Sequence, residues 1–480
     1  MTKTPCRPCP PVARCPRTVG PIARPSLSAG APHTMTDSPG AARLFRWEKA
    51  GLGLFALLLV AFGVITEIRS AFQTTRRTDF GVYTRAAWAA RAGEDVYYHV
   101  DQHGWHYCYP PTFAILLAPL AEPYPHLPQA GYLPFPVSAA LWYVFGVACA
   151  WVTVHMLAGA VLPGLARGSR AWWYARTVPL YVCVGGIGFT LGRGQVNMLL
   201  AALVAGSFAA LVRGRRAASG AWLAGAVVLK IIPALLILFP LVRRDRRALV
   251  GGAVGLVVLL GVIPAAAWGV PRAVDANRKT LELVLAPAVT SGGDDTRKLE
   301  LHGAKSTDSQ SIQATVNTWL HPDRDARPDD VDPVAKRAHW AVSGLLILAT
   351  VVVGWRRLTP DPADQLVFLG CLCAVMTVVT PVSHMHYYAM VLPLACGLWL
   401  RGMKRRPGQV AADARTVAVL AVWGAATALP LFPGPVFDRL RECGFGTAAT
   451  VGLWAFGLWT VGRKRVATAA EETPRVRLAA

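Results

Sequence analysis

The feature that most constrains the fold is a series of apolar segments separated by short clusters of Lys and Arg. A hydrocarbon core of roughly 30 Å is crossed by about 20 apolar residues in a helix, and such segments recur from residue 51 to residue 461. Of the 480 residues, 54% are hydrophobic and 16% are charged. Because backbone groups in lipid must be satisfied within the segment, the pattern predicts an all-α polytopic membrane protein.

About ten crossings are predicted from the lengths of these apolar segments. They cover residues 51–65, 136–162, 172–191, 196–211, 249–268, 339–353, 365–379, 387–400, 417–431 and 447–461. We interpret residues 47–464 as one transmembrane domain. The flanking residues 1–46 and 465–480 have little apolar periodicity to offset the entropy of ordering them, so they are predicted to be disordered cytoplasmic tails. Met35 opens a second candidate start.

The net charge of +22 does not indicate a nucleic-acid partner. The basic residues fall in short loops between apolar segments, as expected from the positive-inside bias. We therefore interpret the charge as a signal of orientation and of contact with anionic membrane lipids.

One further apolar stretch, residues 220–242, lies between two arginine clusters. A single crossing would place one of these clusters on the outer side, against the positive-inside bias. Lys230 and Pro233 lie in its middle, where a proline interrupts a helix. A re-entrant hairpin entering from the cytoplasm removes the conflict and makes every basic loop cytoplasmic.

The same topology collects the polar and acidic loops on the extracytoplasmic face of the plasma membrane. Residues 66–135 and 270–336 are predicted to form a layer of outer loops. Function often lies on loops that a rigid scaffold positions. We therefore expect the site in this layer.

Asp79 follows the first apolar segment, in the stretch Asp79-Phe80-Gly81-Val82-Tyr83. An ionisable residue so close to the bilayer is a candidate functional residue. The alternative is that Asp79 only caps an amphipathic helix in the outer interface. That helix would place Tyr83 on its apolar face and turn Arg85 away from it.

Residues 192–197 form a second outer motif, Gly-Arg-Gly-Gln-Val-Asn. Arg193 can bind phosphate in a forked geometry, while Gln195 and Asn197 offer amide groups to hydroxyls. The alternative is a tight turn between two helices. Lys230 would approach the same region from the hairpin.

Two later outer segments complete the candidate site. Ser309 and Gln310 follow a polar loop, and His384 and His386 precede an apolar segment. The histidines could ligate a metal or transfer protons. Two positions apart on a helix they are expected to point in different directions, and no third ligand follows at a suitable spacing. No metal site is therefore predicted.

In order along the chain, these motifs resemble glycosyltransferase family 87, whose members are membrane enzymes of the GT-C fold class. The resemblance is carried by the Asp79 loop, the Tyr109-Pro110-Pro111 turn, residues 194–197, the Lys230 hairpin, Ser309-Gln310-Ser311 and Pro381-Val382-Ser383-His384. It implies a GT-C-type helical bundle that uses a polyprenyl-phosphate sugar, as mannosyl- and arabinofuranosyltransferases of the family do. It also implies that Asp79 matches the aspartate expected to act as general base.

The resulting prediction is an inverting transfer of a hexose or pentose, most directly mannose, to a lipid or glycan acceptor outside the membrane. The donor already carries a good leaving group, so the enzyme must orient an acceptor hydroxyl and remove its proton. Arg193 and Lys230 would offset charge on the departing phosphate, and His384 or His386 would hold phosphate or sugar hydroxyls. The motifs require no cofactor, although a divalent cation is left open. The paired carboxylates Asp294 with Asp295 and Asp329 with Asp330 lie in loops and are interpreted as solvated.

Two other classes of function are kept as alternatives. A transporter or flippase of lipid-linked saccharides would show charged residues near the middle of several helices and some internal repeat symmetry. Of these features the sequence offers mainly Lys230. A non-catalytic scaffold of an envelope assembly would tolerate the loss of Asp79.

Overall fold

The computed structural model describes residues 43–72, 79–124, 130–289, 309–406, 409–432 and 434–463. Regular structure within these ranges is helical, and the two β contacts there are isolated bridges, Val100 with His106 and Ser309 with His384. Residues 1–42 and 464–480, which hold nearly all of the two predicted tails, lie outside the described residues. The single domain 47–464 stays a prediction.

The first half of the bundle contains eleven α-helices among the described residues. They are α1 Arg46–Phe72, α2 Phe80–Ala92, α3 Pro111–Leu116, α4 Phe135–Val161, α5 Arg170–Val182, α6 Val184–Arg193, α7 Asn197–Val212, α8 Arg216–Leu229, α9 Leu238–Val242, α10 Arg246–Leu256 and α11 Ile263–Trp268. Short 3-10 helices at Ala118–Leu120 and Ile232–Ile237 and a π-helix at Val257–Val262 connect some of them.

The second half contains nine α-helices among the described residues. They are α12 Val270–Thr280, α13 Ala286–Val289, α14 Ile312–Leu320, α15 Pro333–Arg357, α16 Pro362–Val379, α17 Leu392–Lys404, α18 Ala414–Ala428, α19 Pro435–Glu442 and α20 Phe445–Gly462. A π-helix, Leu281–Leu285, follows α12, and 3-10 helices at Met385–Val391 and Leu429–Leu431 adjoin α17 and α18.

Five helical segments are long and apolar enough to cross a membrane by length and composition. These are Arg46–Arg69, Phe135–Val161, Arg246–Trp268, Pro333–Arg357 and Pro362–Val379. The prediction of an all-α polytopic membrane protein is thereby confirmed. Several other predicted crossings are shorter or interrupted helices, so their total of about ten stays a prediction.

Helix boundaries extend beyond the apolar segments because charged residues continue the helix past the hydrocarbon core. The first crossing was predicted over residues 51–65, whereas α1 runs from Arg46 to Phe72. Long charged side chains near helix ends can reach the polar interface while their stems cover apolar surface. Hydropathy alone therefore places the ends too far inward.

The predicted crossing 172–191 is two helices, α5 and α6, that meet at Cys183. Pro179 lies in the last turn of α5, and a proline within a helix removes a backbone hydrogen bond. Two glycines follow the break. A Cβ at Gly185 would lie 2.6 Å from the Thr427 carbonyl oxygen, and one at Gly186 would lie 2.5 Å from the Ala389 nitrogen. The glycines let α6 pack directly against the backbone of two other segments.

The way in which α8 and α10 pack agrees with the predicted hairpin, whose entry from the cytoplasm stays a prediction. Gly251 lies against Ala217, and Gly255 lies against Ala221. Because the contacting residues advance in the same direction along both helices, α8 and α10 run parallel. Because both helices start at the same end of the bundle, the segment between them must return to that end. The turn occurs at Lys230, whose extended backbone ends α8.

The segment that follows α3 covers α2 more completely than was predicted. An amphipathic helix in the outer interface was predicted to turn Arg85 away from its buried face. The Arg85 side chain is instead buried, donates to the Pro123 carbonyl and lies over the Tyr124 ring. That prediction is wrong because the segment after α3 folds over α2 and supplies an acceptor and an aromatic ring to the guanidinium. α2 is therefore a buried helix at the end of the bundle that contains the candidate functional site.

Candidate functional site

The candidate site lies where three loops and the hairpin tip meet at one end of the bundle. Asp79 precedes α2, residues 193–197 connect α6 to α7, Lys230 ends α8, and residues 383–387 lead into α17. The Asp79 amide donates to the Arg193 carbonyl over 2.8 Å, which joins the first two segments. Residues more than 300 positions apart in the sequence thus share one polar region.

Asp79 does not cap α2 with its side chain. It occupies the N-cap position, but no side-chain cap hydrogen bond forms. Instead its Oδ2 accepts from Gln195 Nε2 over 2.5 Å, and its Oδ1 lies 4.0 Å from Arg193 Nη1. The carboxylate is buried, with 9% of the residue exposed. The capping alternative therefore does not account for this side chain.

Gln195 is held in turn by Tyr83, which also contacts Tyr109. The Tyr83 hydroxyl donates to Gln195 Oε1 over 2.9 Å and lies 3.1 Å from the Tyr109 hydroxyl. Burial raises the pKa of both phenols well above the usual range, so they stay protonated and able to donate. Since Gln195 Oε1 receives this bond, its Nε2 is directed to Asp79. The chain Tyr109, Tyr83, Gln195, Asp79 fixes the carboxylate.

A turn at Gly194 directs Gln195 into this position. Gly194 has φ +66°, in the left-handed region that glycine adopts without a Cβ clash, and it ends α6. The Gln195 amide donates to the Thr190 carbonyl, and Trp142 Nε1 donates to the Gly194 carbonyl over 2.8 Å. The predicted tight turn is present, and it serves to position the site.

Lys230 forms a second, cationic part of the site. Its Nζ donates to Asn197 Oδ1 over 3.3 Å and lies 3.9 Å from the centre of the Tyr387 ring. The residue is only 7% exposed. In the described ranges no carboxylate oxygen lies within 4 Å of the ammonium. A buried cation without a carboxylate partner is a suitable receptor for an anion.

Asn197 also connects the lysine to the histidine segment. Its Nδ2 donates to the His386 carbonyl over 2.8 Å, and the Thr190 hydroxyl donates to the same oxygen over 2.9 Å. Asn197 is fully buried. Its role in the structure is thus to hold Lys230 and residue 386 together.

The two histidine rings lie side by side, contrary to the expected divergence. Their centroids are 5.5 Å apart. The expectation was wrong because His384 has extended backbone angles and only precedes the 3-10 helix, so helical spacing does not apply to the pair. His386 is 2% exposed, and its ring packs 4.9 Å from that of Tyr387.

Ser309 and Gln310 support this histidine segment from the outer layer. Ser309 pairs with His384 in the isolated bridge, and its hydroxyl accepts from the Ser383 amide over 3.2 Å. Gln310 is 1% exposed, and its Nε2 donates to the Arg441 carbonyl over 2.9 Å. A role of these two residues in substrate binding stays a prediction, as do the roles of the other candidate residues.

Sequence reasoning missed the contributions of three buried residues. Tyr109 was noted only as part of a turn, while Tyr387 and Thr190 were given no role. Tyr387 lies beside Lys230 because a 3-10 helix replaces the start of the predicted crossing. The run His384-Met385-His386-Tyr387-Tyr388 was a visible signal, since consecutive polar-tipped rings are unusual at the start of an apolar segment.

The question of a divalent cation is unchanged by the structure. Asp294 and Asp295 lie outside the described residues, and Asp329 and Asp330 are exposed. Within the described part of the chain, no group of three or more His, Cys, Asp or Glu side chains is arranged to hold a metal ion.

Comparison with known proteins decides the family. The sequence profile of Glycosyltransferase family 87 matches residues 107–381, more than half of the chain. The chain belongs to glycosyltransferase family 87. It is accordingly a membrane glycosyltransferase of the GT-C class, which confirms the predicted enzyme class and resemblance.

The chain is also similar to a mannosyltransferase and to a solved structure. A polyprenol-phosphate-mannose-dependent alpha-(1-2)-phosphatidylinositol mannoside mannosyltransferase of Mycobacterium tuberculosis is 25% identical over 400 residues, covering 80% of this family 87 chain and 82% of the relative. A crystal structure of ArnT from Cupriavidus metallidurans bound to undecaprenyl phosphate aligns with a TM-score of 0.39 and 15% identity. The alignment covers 84% of this chain and 77% of that one.

Proposed function

We propose that this enzyme transfers mannose from a polyprenyl-phosphate donor to a hydroxyl of a lipid or glycan acceptor, with inversion at the anomeric carbon. The donor class is supported by the mannosyltransferase relative, whose name specifies polyprenol-phosphate-mannose. The observation that carries the proposal is the convergence of a fixed carboxylate, Asp79, with two cations, Arg193 and Lys230.

Asp79 acts as the general base in this proposal. A base must be positioned to receive the acceptor proton when the new bond forms. Gln195 occupies Oδ2 and leaves Oδ1 on the side of Arg193. The fixed carboxylate reduces the reorganisation needed in the transition state, which is the advantage of a preorganised site.

The two cations stabilise the leaving group. When the bond between the anomeric carbon and the phosphate oxygen breaks, a phosphodiester with one negative charge becomes a phosphomonoester with two. The acceptor oxygen forms the new bond to the anomeric carbon, and its proton passes to Asp79. Lys230, already desolvated, and Arg193, partly exposed, are placed to interact with the added charge.

The remaining candidate residues complete the substrate region in the proposal. His384 and His386 bind phosphate or sugar hydroxyls, and Ser309 and Gln310 hold the segment that carries them. Tyr83 and Asn197 position Gln195 and Lys230. The acceptor, a lipid or glycan, approaches Asp79 from the outer layer.

The site faces the extracytoplasmic side of the plasma membrane in this proposal. The candidate residues lie at one end of the bundle, and the arginines at residues 213–216 and 243–247 lie at the other end of α7, α8 and α10. The positive-inside bias places these basic loops in the cytoplasm.

A donor assay tests the proposed activity. The purified full chain is reconstituted in liposomes with polyprenyl phosphate carrying labelled mannose, and a parallel sample receives nucleotide-activated mannose. We expect label to appear on a lipid or glycan acceptor only with the polyprenyl donor, with inverted anomeric configuration by NMR. Transfer from the nucleotide sugar, or label that only changes leaflet, would contradict the proposal and, in the second case, favour the flippase alternative.

A further inference from the structure

The basic end of the bundle, opposite the candidate site, contains a pocket between α17, α18 and α20. Its volume is about 430 Å³. Five arginines contribute to its lining: Arg401, Arg405, Arg406, Arg415 and Arg463. We call these residues, together with Trp459, the arginine pocket. We propose that it binds the phosphodiester headgroup of an anionic phospholipid.

The floor of the arginine pocket is a rigid ion pair. Arg401 is 6% exposed, its Nε lies 2.6 Å from Asp364 Oδ1, and its Nη2 donates to the Thr460 carbonyl. These contacts tie α17 to α16 and α20. The pocket therefore has a built base that does not depend on mobile surface side chains.

The rim has an excess of positive charge. Arg405, Arg406, Arg415 and Arg463 are exposed, and among the described residues the lining contains a single carboxylate, that of Asp413. Asp413 is engaged as the cap of α18, since it accepts from the amide and the hydroxyl of Thr416 over 3.1 and 2.8 Å. The charge of Arg401 is balanced by Asp364. In the described part of the chain, three exposed guanidinium groups, those of Arg406, Arg415 and Arg463, face one capping carboxylate, and this excess of positive charge favours an anion.

One wall of the arginine pocket is apolar, which points to a lipid rather than to free phosphate. Phe456 and Trp459 line it, with ring centroids 5.5 Å apart. Trp459 is 44% exposed, and the Arg463 guanidinium lies 4.5 Å from its ring centroid. An aromatic ring beside a guanidinium, at the end of an apolar helix that the sequence predicts to cross the membrane, matches the boundary between acyl chain and headgroup. Basic pockets between membrane helices bind anionic headgroups.

The test compares lipid retention by the purified full chain in native mass spectrometry. Phosphatidylglycerol and phosphatidylcholine with identical acyl chains are titrated against three proteins. These are the wild type, a pocket variant that combines Arg406→Gln with Arg415→Gln, and a matched control that combines Arg356→Gln with Arg357→Gln. The control removes two exposed arginines from the end of α15, outside the pocket.

We expect wild type to retain one phosphatidylglycerol in preference to phosphatidylcholine. The pocket variant should bind it roughly tenfold or more weakly, since each basic residue near a headgroup contributes to binding, while the control stays within twofold of wild type. An equal loss of phosphatidylglycerol binding in both double variants would overturn the proposal, because it would attribute the binding to general surface charge. Displacement of the lipid by millimolar inorganic phosphate would overturn the lipid as ligand.

A thermal melt in detergent checks the folding of each variant. If the pocket variant is unfolded, the single substitution Arg463→Gln replaces it in the same comparison. Unchanged retention of phosphatidylglycerol by a folded Arg463→Gln variant would then contradict the proposal. Because the candidate site is at the other end of the bundle, these outcomes are independent of the donor assay.

Discussion

Replacement of Lys230 by methionine should separate catalysis from stability. Lys230→Met keeps an unbranched side chain of similar length and removes the ammonium. That ammonium is buried, bonded to Asn197 Oδ1 over 3.3 Å and 3.9 Å from the Tyr387 ring centroid. In the described ranges no carboxylate oxygen lies within 4 Å of it, so we expect its charge to act on the substrate phosphate.

The expected loss of rate follows from the electrostatics of such a site. Two unit charges 4 Å apart attract by about 4 kcal/mol at an effective dielectric constant of 20. Water that enters in place of the ammonium recovers part of this energy. A remaining loss of about 3 kcal/mol corresponds to a roughly hundredfold slower transfer.

The stability of the Lys230→Met variant should not fall together with its activity. Losing the bond to Asn197 and the contact with Tyr387 costs about 2 to 4 kcal/mol. The desolvation penalty of the buried ammonium, several kcal/mol, disappears at the same time. The two effects are of similar size, so the melting temperature should stay the same or rise.

Initial transfer rates with labelled polyprenyl-phosphate mannose and thermal unfolding in detergent give both quantities. Lys404→Met is the matched control, because Lys404 is partly exposed and pairs with Asp361 at the basic end. It should keep its activity and lose at most about 1 kcal/mol. A Lys230→Met enzyme with more than a third of wild-type activity, or one that is inactive only because it has unfolded, would refute the reasoning.

Three further substitutions test the supporting contacts. Gln195→Leu should lower the transfer rate about tenfold or more with little change in donor KM, because Asp79 loses its positioning bond; an unchanged rate would show that the bond is dispensable. Tyr83→Phe should have a smaller effect in the same direction, measured by the same assay, and an effect larger than that of Gln195→Leu would contradict the proposed order of contacts. Gly220→Ala should destabilise the bundle by about 1 to 3 kcal/mol in thermal melts, since the added Cβ would lie 1.8 Å from the Ala248 carbonyl oxygen. Gly344→Ala, with no atom within 4 Å of its Cβ, is the control and should melt at or above the wild-type temperature.

The return of the chain between α8 and α10 could be predicted from the sequence because charge and hydropathy act independently of detailed packing. The arginine clusters around residues 220–242 required a hairpin, and α8 and α10 indeed run parallel. The loops that carry the sequence motifs were likewise expected to meet at one end of the bundle. These inferences needed only the cost of charge in lipid and the orienting bias of basic loops.

The internal contacts of the site could not be predicted in the same way. Whether Asp79 caps α2 or bonds Gln195 depends on a turn set by Gly194 and on two distant tyrosines. The burial of Arg85 depends on acceptors from residues 123–124, and the pairing of His384 with His386 depends on extended backbone. Gly251 and Gly255 did form a small-residue pattern typical of close helix contacts, which could have indicated the partner of α8.

The most direct test of the central claim compares donor binding with transfer in Asp79→Asn. Asparagine keeps the shape of the side chain and an oxygen that accepts from Gln195, but it cannot take the acceptor proton. With Asp438→Asn as the control, an exposed carboxylate on α19, donor Kd and the single-turnover rate are measured in the same liposomes. The account predicts a donor Kd within about twofold of wild type and a transfer rate lower by a factor of about 10² to 10⁴, with the control unchanged. Transfer by Asp79→Asn at a rate within tenfold of wild type would contradict the assignment of Asp79 as the base.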